Sequence, residues 1–160
     1  MATLPKFRSL LKQVLHLRES PQRTALAFAI GVFIAFSPTY GLHTVMVLFC
    51  TWALGLNFIA LMAGNIVNNP WTMVPILGAT YWVGALLLGR SDGPSFDWQD
   101  LSFSAIYEQV MPYAAPFFLG GFILSLLGAI LAYPLAYYFV SKHRQSHPPA
   151  QTEPLPPIKM

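Results

Sequence analysis

The chain has 160 residues, of which 55% are hydrophobic and 9% are charged, and its formal net charge is +3. Soluble globular domains carry about 25% charged residues, so this composition argues against that class and favours a membrane protein. The charges are also unevenly placed, because residues 24–89 and 109–141 contain no Asp, Glu, Lys or Arg. A membrane-spanning helix needs about 20 apolar residues, so these two segments have room for several spans.

An amphipathic helix is predicted near the N-terminus, over residues 4–19. Leucines and a phenylalanine fall on one side at helical spacing, and basic residues such as Lys6, Arg8 and Lys12 fall on the other. A basic face opposite an apolar face is typical of a helix lying in the membrane interface. We therefore interpret residues 1–20 as an interfacial helix, and a cytoplasmic helix packed on the rest of the protein is the alternative.

The next helix is predicted to begin at Ser20-Pro21, because serine is a good N-cap and proline is favoured at the first helical position. Its apolar run covers only residues 24–36. At 1.5 Å per residue this run reaches about 20 Å, which is short of a hydrocarbon core about 30 Å thick. The run stops at a cluster of helix breakers over residues 37–41.

A second apolar helix is predicted over residues 42–56, and Leu56-Asn57 is either a junction or a continuation of that helix. A second break follows, in which Asn69 is the predicted N-cap and Pro70 the first helical residue. The helix that opens there is predicted to run to the end of the uncharged stretch.

Residues 90–112 hold four of the six acidic residues of the chain and are predicted to form an external loop with a short helix over 98–110. Residues 113–140 are apolar and long enough to span a membrane with tilt. Small residues at helical spacing predict a packing face along this last helix: Gly121, Ser125, Gly128, Ala132 and Ala136.

The predicted organisation is a membrane domain over residues 21–141, followed by a disordered, proline-rich cytoplasmic tail over 142–160. Lys and Arg residues precede the first apolar run and follow the last one, whereas the loop between them is acidic. By the positive-inside rule, both termini are expected in the cytoplasm and the loop outside. An odd number of crossings must then lie between Arg23 and Arg90.

Two layouts satisfy this requirement. In the first, residues 24–36, 41–63 and 70–89 each cross the membrane, which gives four spans with the last helix. In the second, residues 21–54 form a re-entrant hairpin and residues 56–89 form one broken span. The predicted fold class is therefore an all-α, polytopic membrane protein with about three to four transmembrane helices, including broken or re-entrant segments.

The sequence offers no catalytic constellation: it contains no nucleophile elbow, no zinc-protease motif, no phosphate-binding loop and no paired Cys or His at metal spacing. We expect no enzyme activity, cofactor, metal or nucleic-acid partner. Proton-coupled carriers place ionisable residues within their helices, and here only His43 qualifies.

The uncharged polar residues at the two breaks are the candidate functional site. Broken backbone in a bilayer must be buried in protein or line a cavity, and interrupted hydrophobic segments are typical of transporter binding sites. Helix N-termini at both breaks would favour an anion. Alternatively, the asparagines only hydrogen-bond neighbouring helices. The candidate cavity residues are Ser37, Thr39, His43, Thr44, Asn65, Asn68, Asn69 and Thr72, with Pro38, Gly41 and Pro70 as the breaking residues.

The runs SPQRTALAFAIGVFIAFSPTYGLHT and LNFIALMAGNIVNNPWTMVP resemble the bacterial domain of unknown function 2062. The resemblance covers roughly residues 5–145 and rests on the two ordered breaks. It implies a multi-pass protein of the bacterial inner membrane and no particular activity. It also implies that seven residues occupy motif positions of the family: Pro38, Gly41, His43, Asn68, Asn69, Pro70 and Thr72.

Two functions follow as hypotheses. In the first, the protein binds or moves a small or lipid-linked anionic solute at the breaks, as the helix starts there suggest. In the second, it is a non-transporting scaffold for an envelope enzyme, with the small-residue face contacting a membrane-protein partner or a second copy of the chain. The expected partners besides the bilayer are thus an anionic lipid or solute, or another membrane protein.

Overall fold

The computed structural model describes residues 19–39, 41–90, 93 and 102–146, except for the side chain of residue 146. Every regular element in these ranges is an α-helix, which confirms the all-α fold class. The predicted amphipathic helix up to residue 18 and the predicted tail beyond residue 146 lie outside the described residues. The helices are α1 (Pro21–Phe36), α2 (His43–Leu54), α3 (Phe58–Asn65), α4 (Pro70–Leu87) and α5 (Phe103–Ser146).

Helix α1 begins and ends where local chemistry predicts. The Ser20 hydroxyl accepts a hydrogen bond from the backbone N–H of Arg23 at 3.4 Å, and Pro21 occupies the first helical position. At the other end, Ser37 leaves the helix in an extended conformation. Its N–H donates to the carbonyl of Phe33 at 3.0 Å, which closes the last turn.

The structure has a helix boundary at Leu56-Asn57, where the sequence allows either a boundary or a continuous helix. Gly55 ends α2 with a φ of +59°, a left-handed conformation that glycine adopts at little cost. Asn57 then caps α3, because its Oδ1 accepts from the backbone N–H of Ile59 at 2.9 Å and of Ala60 at 3.3 Å.

Helix α5 is longer at both ends than the sequence predicts. Residues 103–110, predicted as part of a separate short helix in the loop, are helical and continuous with the last helix, and α5 continues past the predicted boundary at 141. Pro112 favours a helix end locally, because a proline inside a helix removes a hydrogen bond and crowds the preceding turn. Pro116 has no N–H to donate to the Pro112 carbonyl, and the Arg90 guanidinium donates to that carbonyl instead. The tertiary contact therefore compensates for the proline.

Helix α5 is the helix on which both α1 and α4 pack. The 44 residues of α5 extend about 66 Å at 1.5 Å per residue. Its C-terminal half packs on α1, where a Cβ on Gly128 would lie 3.3 Å from Val32. Its N-terminal half packs on α4, where a Cβ on Gly120 would overlap the Thr80 carbonyl. Helices α1 and α4 thus occupy successive lengths of α5.

Helices α1 and α3 cross in backbone contact. A Cβ on Gly31 would overlap the Leu61 carbonyl oxygen, and a Cβ on Gly64 would overlap the Phe28 carbonyl oxygen. Two glycines facing each other let the helix backbones approach more closely than any larger residue allows, as at helix crossings inside membranes. The contact holds α3 beside α1, and the two helices run in the same direction.

Helices α1 and α2 form a hairpin that starts and finishes at the same end of the molecule. The Arg23 guanidinium, in the first turn of α1, donates to the carbonyl of Gly55, which follows α2, at 3.2 Å. With 16 and 12 residues, the two helices are about 24 and 18 Å long. The chain then returns along α1 as α3 and continues beyond it as α4.

Large apolar side chains cover the outside of the bundle. Trp52 on α2 is 83% exposed and Trp71 on α4 is 91% exposed, and every described helix exposes at least one large apolar side chain. Among the described helices, residues Phe103–Gln145 of α5 form the one segment long and apolar enough by composition to cross a membrane, while α1 and α2 are shorter apolar helices.

Candidate functional site

The first break is closed by hydrogen bonds among its own polar residues. Ser37 is buried, and its hydroxyl lies 3.0 Å from that of Thr39. The Thr39 hydroxyl also donates to the Met46 sulfur at 3.1 Å. His43 Nε2 lies 3.3 Å from the Ser37 carbonyl. Of the predicted residues here, Ser37, Thr39 and His43 come together, whereas the Thr44 side chain is exposed.

The start of α2 lacks a side-chain cap. Gly41 has a φ of +87°, which reverses the chain after Pro38, and Leu42 occupies the N-cap position without a side-chain acceptor. By contrast, Ser20, Asn57 and Asn69 cap α1, α3 and α4.

The second break is a complete capping box. Asn69 Oδ1 accepts from the N–H of Trp71 at 3.0 Å and of Thr72 at 3.2 Å, and the Thr72 hydroxyl accepts from the Asn69 N–H at 2.9 Å. The Asn69 carbonyl oxygen accepts a hydrogen bond from the Met73 N–H at 2.8 Å. The first N–H groups of α4 are therefore occupied, so this helix start does not offer the anion site that the sequence suggests.

The two breaks meet through Asn68. Its Nδ2 donates to the Ala35 carbonyl oxygen at 3.0 Å. Ala35 lies in the last turn of α1, where carbonyl groups have no helical partner, so the second break supplies a cap for the helix that ends at the first. We call the two breaks together, residues 37–39, 41–42 and 66–69, the junction.

Asn65 lies beside the junction with an unmatched amide oxygen. It is the last residue of α3, and its buried Oδ1 has no hydrogen-bond partner. A buried polar atom without a partner costs about 1–3 kcal/mol, so such an atom calls for an explanation. Because an amide can present either its oxygen or, rotated, its nitrogen, Asn65 can pair with a hydroxyl or with an anionic oxygen.

The predicted small-residue face of α5 lies against the first break and α1. A Cβ on Gly121 would lie 3.0 Å from Pro38, and the buried Ser125 hydroxyl bonds its own helix at the Gly121 carbonyl, 2.7 Å away. Ala132 packs in a cluster with Ala29 of α1. These positions place the junction close to the middle of α5.

The sequence does not predict the polar cluster at the open end of the α1–α2 hairpin, which is the end where α1 begins and α2 ends. Arg144 of α5 donates to the Glu19 carbonyl, and Asn57 donates to the Glu19 carboxylate at 3.5 Å. With the Arg23–Gly55 contact, it joins the starts of α1 and α3 to the ends of α2 and α5. The sequence shows that Arg23 and Lys142 bracket the uncharged stretches, but it does not show which polar residues pair with each other in this cluster.

The chemistry available at the junction is hydrogen bonding without fixed charge. His43 is its one neighbouring ionisable side chain among the predicted site residues. Within residues 19–39, 41–90, 93 and 102–146, no group of three or more His, Cys, Asp or Glu is placed to hold a metal ion. Binding through amides, hydroxyls and backbone groups is what this arrangement can offer.

One family matches the chain. It is described as an uncharacterized protein conserved in bacteria, DUF2062, and the match covers residues 4–148. No curated protein and no solved structure shows significant similarity to the chain.

Proposed function

We propose a function for this chain, which belongs to the bacterial family DUF2062: it is an integral inner-membrane protein that binds, and moves across part of the bilayer, a lipid-linked anionic solute at the junction. The observation that carries the proposal is the unmatched, buried amide oxygen of Asn65 beside two chain breaks that Asn68 holds together.

Exposed apolar surface supports the membrane location. Only 22% of the most apolar part of α5 is buried, whereas the core helix of a soluble protein is mostly covered. Soluble monomers rarely expose apolar patches larger than a few hundred Å². Hydrocarbon chains are the environment in which side chains such as Trp52 and Trp71 are stable while exposed.

The lengths and ends of the helices support a re-entrant arrangement. Helices α1 and α2, about 24 and 18 Å long, are each too short for a hydrocarbon core about 30 Å thick. Because the Arg23–Gly55 contact joins their open ends, we place both ends on the cytoplasmic side and the junction inside the bilayer. Helices α3 and α4 then form one broken span, and α5 returns to the cytoplasm.

The uncapped start of α2 supports an anionic ligand. Helix N-termini favour negative charge, and this start lies at the junction rather than at the hairpin's open end. A solute linked to a lipid would keep its chains in the bilayer while its polar group reaches the start of α2 and the Asn65 amide. The same chemistry would accept a free phosphate, and the experiment must separate the two.

Native mass spectrometry of the protein released from detergent micelles tests the proposal, with phosphatidic acid, phosphatidylcholine and inorganic phosphate as probes. We expect phosphatidic acid to be retained in preference to phosphatidylcholine, and Asn65→Leu to weaken this retention several-fold. Retention of inorganic phosphate alone would identify a free solute instead.

Equal retention of both lipids, or retention that Asn65→Leu leaves unchanged, would overturn the proposal. If no lipid is retained and the protein instead co-purifies with an envelope enzyme, the scaffold hypothesis replaces it. Asn65→Gln is the matched control, because it keeps the amide in a side chain one methylene longer.

A further inference from the structure

An open apolar groove lies between α4 and α5, in the part of the bundle away from the junction. Its volume is about 750 Å³, within the roughly 300–1,000 Å³ of small-molecule sites. The groove wall is apolar and aromatic, and its residues include Leu77, Gly78, Tyr81, Trp82, Tyr113 and Phe117. The Tyr81 and Tyr113 rings meet edge to face, with centroids 5.7 Å apart.

Gly78 leaves part of this groove open. A Cβ built on Gly78 would meet no atom within 4 Å, although the residue is in the middle of a helix. Glycine in a helix interior is disfavoured relative to alanine, and the described residues give no close packing contact that requires it at position 78. A bound group would occupy the space beside it.

A cation is held at one end of the groove. Arg90 donates to the Pro112 carbonyl that Pro116 leaves without a helical partner, and Pro112 precedes Tyr113 of the groove wall. The contact orients the guanidinium without neutralising it, because a carbonyl carries no net charge. Arg90 is exposed, and the described residues give it no ion pair. Four further N–H donors of an arginine remain for a ligand.

We infer that the groove binds one anionic phospholipid, with an acyl chain along the apolar wall and its phosphate at Arg90. Arginine pairs with phosphate through two parallel hydrogen bonds, and an acyl chain needs no polar partner from the wall. Arg90 and the groove supply both requirements in one place. The inference shares with the proposed function only the premise of a bilayer, since the junction contributes no residue to this site.

Trp82 in the groove wall provides a direct probe. Trp52, Trp71 and Trp98 are replaced by Phe so that Trp82 is the single fluorophore. The protein is reconstituted in phosphatidylcholine vesicles that contain rising fractions of either dibrominated phosphatidylglycerol or dibrominated phosphatidylcholine. Bromine quenches tryptophan only at short range, so the half-quenching fraction reports which lipid occupies the groove.

We expect half-quenching at a several-fold lower fraction of brominated phosphatidylglycerol than of brominated phosphatidylcholine. Arg90→Gln should abolish this difference, and Arg90→Lys should retain most of it. Gly78→Leu should also abolish it by filling the groove, whereas Gly78→Ala should retain it. Unchanged helicity by circular dichroism identifies the variants that fold.

Identical quenching curves for the two lipids in the unmodified groove would overturn the inference. So would a preference for phosphatidylglycerol that survives both Arg90→Gln and Gly78→Leu. Protection of Trp82 from both brominated lipids, together with cross-linked dimers, would assign the groove to a second copy of the chain. Weaker lipid retention in Asn65→Leu together with an unchanged Trp82 quenching preference would show that the groove binds lipid independently of the junction.

Discussion

The side-chain amide of Asn68 donates a hydrogen bond to the backbone carbonyl of Ala35, 3.0 Å away and 33 residues earlier in the chain. The acceptor lies in the last turn of α1, where helical carbonyls lack partners. One side chain at the second break therefore completes the helix that ends at the first. The junction depends on this contact, and its residues can be tested separately.

Asn68→Leu is expected to lower the free energy of unfolding by about 1–3 kcal/mol, because it leaves the Ala35 carbonyl buried without a donor. Unfolding by increasing dodecyl sulfate in mixed micelles measures the change. Asn65→Leu is the matched control and should leave stability unchanged or higher, since the Asn65 Oδ1 has no partner to lose. An equal loss of unfolding free energy in both variants would show that the Asn68 hydrogen bond does not stabilise the fold specifically.

Gly64→Ala is expected to disrupt the crossing of α1 and α3. A Cβ there would overlap the Phe28 carbonyl oxygen, and backbone cannot move aside as a side chain can. The yield of monodisperse protein after gel filtration measures the effect, which should be close to complete loss. Gly78→Ala, where nothing lies within 4 Å, should give normal yield and gain up to about 1 kcal/mol from helix propensity. Normal folding of Gly64→Ala would mean that the two helices do not touch.

The contrast between Gly64 and the helix caps shows what the sequence can and cannot predict. Ser20 and Asn69 act on residues two or three positions away, so their roles follow from local order. The facing of Gly31 and Gly64 depends on two chain reversals between them, and no periodicity within either helix reveals it.

Helix α5 also shows a limit of what can be predicted from the sequence. The sequence predicts a short helix over 98–110 that is separate from the last helix, whereas one helix runs through Pro112 with support from Arg90. The candidate polar residues at the breaks were identifiable from composition. The Asn69–Thr72 pairing is local, but that the Asn65 amide oxygen stays unmatched is a matter of tertiary geometry.

Thr80→Val is expected to leave stability unchanged or raise it by about 1–2 kcal/mol. Thr80 is fully buried at the contact of α4 with α5, and its hydroxyl has no partner, so removing that hydroxyl removes a desolvation cost. Thr24 is equally buried, but its hydroxyl donates to the Ser20 carbonyl at 3.2 Å. Thr24→Val should therefore destabilise. The same micelle unfolding assay compares the pair, and a reversed order would contradict the assignment.

Arg90 and Pro116 are expected to show energetic coupling. Arg90→Met removes the donor to the exposed Pro112 carbonyl and should cost about 0.5–1.5 kcal/mol. Pro116→Ala supplies a helical N–H for that carbonyl, so Arg90→Met should cost less in the Pro116→Ala background. A double-mutant cycle on unfolding free energies measures the coupling. Additive effects would show that the carbonyl is not shared between the two donors.

Single-cysteine labelling tests the re-entrant hairpin most directly. In a Cys50→Ser background, cysteines at Gln22, Leu42, Ala53 and Ser104 are reacted with a membrane-impermeant maleimide, in spheroplasts and in inverted vesicles. The re-entrant arrangement predicts that positions 22 and 53 react from the cytoplasmic side, 104 from the opposite side, and 42 from neither. Reaction of position 42 from the side opposite to position 22, with position 53 protected, would contradict it and place α1 and α2 as separate spans.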